Sequence, residues 1–479
     1  MATASKEAEN AIDLEEIHTE RKEPPKGQKT FTVGEAVETI GFGRFHIMLF
    51  LIMGSTGVAE AMETMLMAVV SPLIRCEWRL QDWQVALVTT MVFFGYMVLS
   101  IVLGLLADQY GRWKILLLSF LWAAYFSLLT SFAPSYIWFV FLRAMVGGGV
   151  SGHAQGLIIK TEFLPTKYWG YMLILLIIGL ASMVNPTIGW RWLTRIASIP
   201  GILLILAFKF IPESARYNVY TGNRGAALAT LQRIARMNGV AVPEGQLREP
   251  ESRGRFKDLI HPKYLRTTLQ IWIIWLGIAF AYYGIILASA ELLEQDLVCG
   301  SAAPLLQDSS DDSEESHSPC HCHLFGPAAY QTMIISTARV ITLNPVNILS
   351  INLLGRRLSL CITMECTALS FLLLNICTSG AGMVGFLFML RALVSANFNT
   401  IYIYTAEVVY PTTMRVLGMG KSGALCCVGA MVAPFISQVL MIASFLGALC
   451  LFSSVCIICA ISAVILPIET KGRALQQVK

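Results

Sequence analysis

Charge is scarce in this sequence: Asp, Glu, Lys and Arg together make up 14% of 479 residues, against 55% hydrophobic residues and a mean hydropathy of +0.63. That leaves too little polar surface to cover soluble domains, so lipid must be the solvent for most of the chain. The strict alternation of a membrane-spanning β-strand is missing, which leaves helices as the structure that satisfies its own backbone hydrogen bonds in lipid. No Walker loop and no catalytic triad pattern occurs, so neither ATP-driven transport nor an enzyme is supported. The net charge of +4 is not gathered into a basic tract, and nucleic acid is not an expected partner. The first 45 residues lack the charged, apolar and cleavage regions of a signal peptide and are expected to be a disordered cytosolic tail. No Asn-X-Ser/Thr acceptor with X other than Pro is present.

Cysteine is not rare, but its placement excludes a disulfide framework. Eight of the 12 cysteines fall within or at the edges of apolar stretches. Cys76, Cys299, Cys320 and Cys322 are left for the outer side, where Cys299 could bridge to Cys320 or Cys322. His317, Cys320, His321, Cys322 and His323 have the chemistry of metal ligands, yet they sit in a Ser/Asp/Glu-rich loop with nothing to order them. Neither a metal nor a cofactor is expected.

What is abundant is apolar sequence in lengths near 20 residues, enough for a helix to cross about 30 Å of hydrocarbon. Twelve spans are expected, at 46-70, 84-106, 114-132, 137-160, 170-189, 193-211, 270-294, 328-350, 358-377, 382-406, 418-441 and 444-466. The fold class is therefore all-α integral membrane. Lys and Arg gather on alternate connections: Arg112 and Lys114, Lys160 and Lys167, ten between Arg216 and Arg266, Arg356 and Arg357, Arg415, and Lys471, Arg473 and Lys479. The other connections hold only Arg75, Arg79, Arg191 and Arg195. By the positive-inside rule both termini and the 212-269 linker are cytosolic, while the 295-327 loop is outer or lumenal. The division expected is a tail at 1-45, a bundle at 46-211, the linker with short helices at 212-269, a second bundle at 270-466 and a tail at 467-479. Leu228, Leu231 and Ile234 mark one face of a linker helix over Arg224 to Met237.

The two bundles repeat one another. Gly111-Arg112, Phe141-Leu142-Arg143-Ala144, Glu162-Phe163-Leu164-Pro165-Thr166 and Pro212-Glu213-Ser214 recur in order as Gly355-Arg356, Met389-Leu390-Arg391-Ala392, Glu407-Val408-Val409-Tyr410-Pro411-Thr412 and Pro467-Ile468-Glu469-Thr470. The interval from Arg112 to Glu162 is 50 residues and that from Arg356 to Glu407 is 51. Such a repeat points to a transporter built from related halves, with its site between them.

These landmarks resemble those of the major facilitator superfamily over 45-479. Gly104 to Lys114 matches its loop motif between helices 2 and 3, and Pro212-Glu213-Ser214-Ala215-Arg216 with Glu469-Thr470-Lys471-Gly472-Arg473 matches its sugar and organic-ion branch. Ala59-Glu60-Ala61-Met62-Glu63, Cys76-Glu77-Trp78-Arg79-Leu80, Ala279-Phe280-Ala281-Tyr282-Tyr283-Gly284 and the tail from Ile468 resemble the synaptic vesicle 2-related group within it. The resemblance implies two six-helix bundles rocking about a midplane site, a small organic solute as partner, and a monomer in the bilayer. The plasma membrane and a vesicle membrane both remain open. The alternative is a non-transporting membrane protein that acts through partners at its tails and its 295-327 loop.

Two sets of residues carry the chemistry. At the cytosolic ends, Asp108 faces a helix N-terminus, Arg112 is expected to pair with Glu162, and Arg356 or Arg357 with Glu407, while Glu213, Arg216, Arg415, Glu469 and Arg473 extend this gating network. Within the membrane a charge is costly enough to suggest a use. Glu60 and Glu63 share one face of span 1, and Glu60 differs in depth from Arg143 by about 6 Å. A coupling pair of Glu60 with Arg143 is expected, resembling that of proton-coupled sugar porters; a static structural pair is the alternative. His153, Tyr282, Tyr283, Asn397, Asn399, Tyr402 and Tyr404 are the candidates to line the cavity, and helix packing is the competing use for each.

One departure stands out: Glu162 to Glu213 is 51 residues, but Glu407 to Glu469 is 62. Spans 5 and 6 are therefore expected to be abbreviated.

Overall fold

The computed structural model describes residues 30–49, 77–152, 208–247, 262–295, 353–376, 380–407 and 412–466, with scattered residues between 52 and 75, at 202 and between 346 and 351. Before the first long helix lie β1 (Thr30–Phe31) and α1 (Val33–Ile40). Three helices of the first bundle follow, α2 (Asp82–Tyr110), α3 (Arg112–Thr130) and α4 (Tyr136–Val150). The linker supplies α5 (Ala215–Tyr220), α6 (Arg224–Asn238) and β2 (Gln246–Leu247). The second bundle contains α7 (Pro262–Gln295), α8 (Arg356–Leu373), α9 (Gly380–Glu407), α10 (Thr412–Phe435) and α11 (Phe445–Val464).

Six stretches among the described residues are long and apolar enough to cross a membrane: Asp82–Ala107, Arg112–Thr130, Leu265–Ser289, Gly382–Thr405, Gly418–Ala443 and Phe445–Val464. Their exposed residues are largely apolar, as a lipid-facing surface requires, including Leu105, Tyr125 and Ile458, and the shorter α4 likewise exposes Ile137. Contact between α2 and α4 is closer than side chains would allow elsewhere. A Cβ on Gly95 would overlap the Ala144 carbonyl oxygen, and one on Gly147 would overlap that of Val92. This is how small residues let membrane helices approach.

Residues 30–45 correct the expectation of a disordered tail. Thr32 Oγ1 accepts from the Glu35 N–H at 3.2 Å and Glu35 Oε2 accepts from the Thr32 N–H at 2.8 Å, a capping box that starts α1. Val33, Ala36, Val37 and Ile40 then fall on one buried face. That face joins Leu231, Ile234 and Ala235 of α6, Leu116 and Phe120 of α3, and Phe208 in one core. β1 pairs in parallel with β2, Thr30 opposite Gln246 and Phe31 opposite Leu247. Asn238, at the end of α6, accepts from the Phe45 N–H at 3.1 Å and donates to the Gly41 carbonyl at 3.2 Å. The segment leading into span 1 is thereby fastened to the linker.

Candidate functional site

Arg143 lies seven residues into α4, where α2 and α3 close around it, and is 1% exposed. Its Nη1 donates to Glu63 Oε2 at 2.7 Å, and Ser127 Oγ on α3 donates to Glu63 Oε1 at 2.6 Å, so each carboxylate oxygen has one donor. The Phe139 ring lies 5.5 Å from the guanidinium carbon. Nε and Nη2 of Arg143 are buried without a hydrogen-bond partner among the described residues. In a low dielectric such a pair is coupled strongly, and neutralising one member leaves the other as an uncompensated charge. The two bonds tie span 1 to spans 3 and 4. Glu60, expected to meet Arg143, lies outside the described residues, as does His153; Glu63 is the carboxylate placed on the arginine.

In the second bundle α7 and α9 bring the aromatic candidates together. Tyr282 and Tyr283 meet edge to face at 5.1 Å, Tyr282 lies 5.1 Å from Phe398, Phe398 lies 5.3 Å from Tyr402, and Tyr402 lies 4.5 Å from Trp275. The series crosses to the first bundle where Phe93 of α2 sits 4.4 Å from Tyr283. Tyr282, Tyr283, Phe398 and Tyr402 are only partly buried, whereas Tyr404 is fully buried in the helix core with Ile271, Trp275 and Leu360. Asn397 and Asn399 are buried too, and Asn397 Nδ2 donates to Thr367 Oγ1 of α8 at 2.9 Å.

At the linker end Glu213 holds the start of α3. Its Oε1 accepts from the backbone N–H groups of Arg112 and Trp113, both at 3.1 Å, and from that of Ser214 at 3.0 Å. This places an anion on the positive end of a helix. Tyr217 OH adds a bond to the Gln109 carbonyl at 2.8 Å. Arg216 is exposed on α5, with a guanidinium nitrogen near Gly34 of α1. Arg112 is buried, and Arg357 Nη2 donates to the Val464 carbonyl at the end of α11. Glu162, Glu469 and Arg473 lie outside the described residues, as do the side chains of Asp108, Glu407 and Arg415.

The bundles meet at the end away from the linker. Thr90, eight residues from the Asp82 end of α2, donates from Oγ1 to the Met431 carbonyl of α10 at 3.0 Å. Pro434 then removes a backbone donor, and Ile436–Leu440 widens into a π turn before Met441–Ala443 completes the span. Gln438 of that turn is buried, and its Oε1 has no partner among the described residues. Ser127, Phe93, Phe398 and Gln438 were not among the sequence candidates. A Pro four residues before a Gln in an otherwise apolar span was the one signal for Gln438.

The profile described as Major Facilitator Superfamily matches residues 52–306. The chain belongs to the major facilitator superfamily. It is 74% identical to the Homo sapiens protein named "Putative transporter SVOPL", covering 100% of both chains, and 50% identical to the Danio rerio protein of that name, covering 98% of this chain and 97% of the other. It is 38% identical to the "Synaptic vesicle 2-related protein" of Xenopus laevis, covering 98% of this chain and 86% of that one. Among solved structures, the partially occluded inward open conformation of the xylose transporter XylE from E. coli matches with a TM-score of 0.64 at 14% identity, covering 90% of this chain and 100% of that chain. At that identity the likeness shows the fold alone; the family and the relatives make this a multi-pass membrane protein of transporter type. The alignment to the human relative extends over 493 positions against 479 residues here, so at least 14 positions of that relative face no residue of this chain.

Proposed function

We propose that this superfamily member is a secondary carrier of a small organic solute, working by alternating access, with Glu63 and Arg143 as the pair that couples proton occupancy to the conformational change. The observation that carries this reading is the Glu63–Arg143 ion pair at 2.7 Å between spans of one bundle, with Arg143 buried and Glu63 partly buried, a place where charge seldom lacks a use. The aromatic series from Phe93 to Trp275 supports an organic solute, because partly buried rings with polar tips offer stacking and hydrogen bonds in one place. The contact of α2 with α10 supports a state closed on the side away from the linker. With the linker cytosolic, that state faces inward, like the xylose transporter conformation that the fold matches.

Purified protein in proteoliposomes, given a panel of small organic anions, cations and neutral solutes with and without an inward acid gradient, tests the reading. Uptake of one class, enhanced by the gradient, is the expected result. Correctly folded protein that accumulates none of them would favour a non-transporting role through membrane partners.

A further inference from the structure

The lipid-facing side of α8 contains one residue that does not suit lipid. Leu358, Ile362, Leu369 and Leu372 are exposed there at 48%, 42%, 58% and 40%, and Glu365 is exposed in the middle of the same stripe. Spacings of four, three, four and three residues keep all five on one face. Glu365 is nine residues past Arg356, at about 13 Å along a helix of about 27 Å, which is mid-depth in the hydrocarbon. Its side chain is shorter than the Lys and Arg stems that carry a charge to the interface. Among the described residues it has no hydrogen-bond or ion-pair partner, whereas ionisable groups inside membranes almost always have one. The opposite face of the helix is committed inward, where Thr367 accepts from Asn397, and the linker end is tied to α11 through Arg357 and the Val464 carbonyl. Glu365 thus projects from a fixed platform, away from the Glu63–Arg143 pair.

We infer that this side of α8 is a docking surface for another membrane-spanning helix that carries a Lys or Arg at mid-depth. Charge complementarity selects the occupant. A second copy of this chain would bring a second carboxylate and no cation to the seam, and neither a lipid headgroup nor a soluble protein reaches that depth. The flanking leucines and isoleucine supply the packing, and the carboxylate supplies the register.

The test uses the full chain in phosphatidylcholine vesicles with labelled designed helices of about 20 Leu and Ala residues. One design carries a single central Lys, and the other is wholly apolar; energy transfer from a fluorophore on the protein reports association. The Lys helix is expected to bind about tenfold more tightly than the apolar one, and Glu365→Gln is expected to remove the difference. Glu365→Leu should do the same with an unchanged or raised Tm, which separates loss of docking from loss of folding. On addition of an oxidant such as copper phenanthroline with dissolved oxygen, a cysteine placed beside the central Lys should also form a disulfide with the exposed Cys366. Equal binding of the two helices, or undiminished binding of the Lys helix to Glu365→Gln, overturns the inference. Energy transfer between labelled copies of the chain that vanishes in Glu365→Gln overturns it too, because the occupant would then be a second copy. None of these readouts depends on solute uptake, so failure here is distinct from failure of the transport reading.

Discussion

Glu63 and Arg143 occupy a place where each alone would be costly, and this makes their roles separable by substitution. Glu63→Gln keeps an acceptor for Arg143 and a partner for Ser127, but it cannot titrate and leaves the guanidinium charge unbalanced. We expect it to cost about 3 kcal/mol of stability, near the lower end for breaking a buried pair from one side, read as a lower Tm in detergent. Accumulation driven by a pH gradient should be lost while solute exchange without a gradient partly survives. A Glu63→Leu/Arg143→Met double variant should regain most of the stability without regaining the gradient response. Retained pH-driven accumulation in Glu63→Gln would make the pair a static strut. An acid and a base at matching depth were legible in the sequence, because charge stands out in an apolar span. Which acid faces the arginine was not, since Glu60 and Glu63 share a face and differ by less than one helical turn. Ser127 gave no signal, because a serine in a membrane helix usually bonds its own backbone, as Ser119 does to the Leu116 carbonyl at 2.7 Å.

Among the elements, the start of α3 is the most exacting. Gly111 has φ of +104°, and the Glu213 carboxylate lies so close that any Cβ would displace it. Gly111→Ala should therefore both strain the turn and dislodge the cap, for a loss of about 1–3 kcal/mol. Glu213→Gln keeps an acceptor but loses the favourable charge at the helix end and should cost about 1 kcal/mol or less. Equal Tm values for the two variants and the parent would show that the cap contributes nothing. Helix positions were readable because span length is set by the bilayer, and ends such as Gly111 and Gly355 are marked by residues that favour positive φ. α1 was passed over although Thr32, with Glu35 three residues on, opens the apolar set Val33, Ala36, Val37 and Ile40. Charged residues on both sides made the segment read as tail, and the core it joins comes from α3 and α6, remote in sequence.

For the whole molecule, the repeat disclosed two halves, but it could not disclose which end of the interface is shut, because that depends on contacts between halves rather than within them. It also sets 51 residues between Glu162 and Glu213 against 62 between Glu407 and Glu469. The 170-201 stretch lies outside the described residues apart from what its sequence states. Inserting about eleven apolar residues after Leu173, roughly three helical turns, should raise Tm and any measured uptake; a fall in both would mark the short segment as tolerated. Closure can be tested directly at the α2–α10 contact. Thr90 and Met431 approach within a hydrogen bond while Phe93 packs on Tyr283, so the halves must separate here whenever the site opens away from the linker. In an alternating-access carrier, holding this contact shut stops the cycle at one stage and leaves the site reachable from the linker side. Thr90→Cys/Met431→Cys, bridged by a short cleavable thiol reagent, should lose net uptake and regain it on reduction, whereas each single variant treated in the same way keeps it. Solute binding from the linker side should survive bridging, since that entrance is untouched. Bridged protein that transports at the rate of the parent would mean that the halves do not part at this contact, and alternating access about it would have to be abandoned.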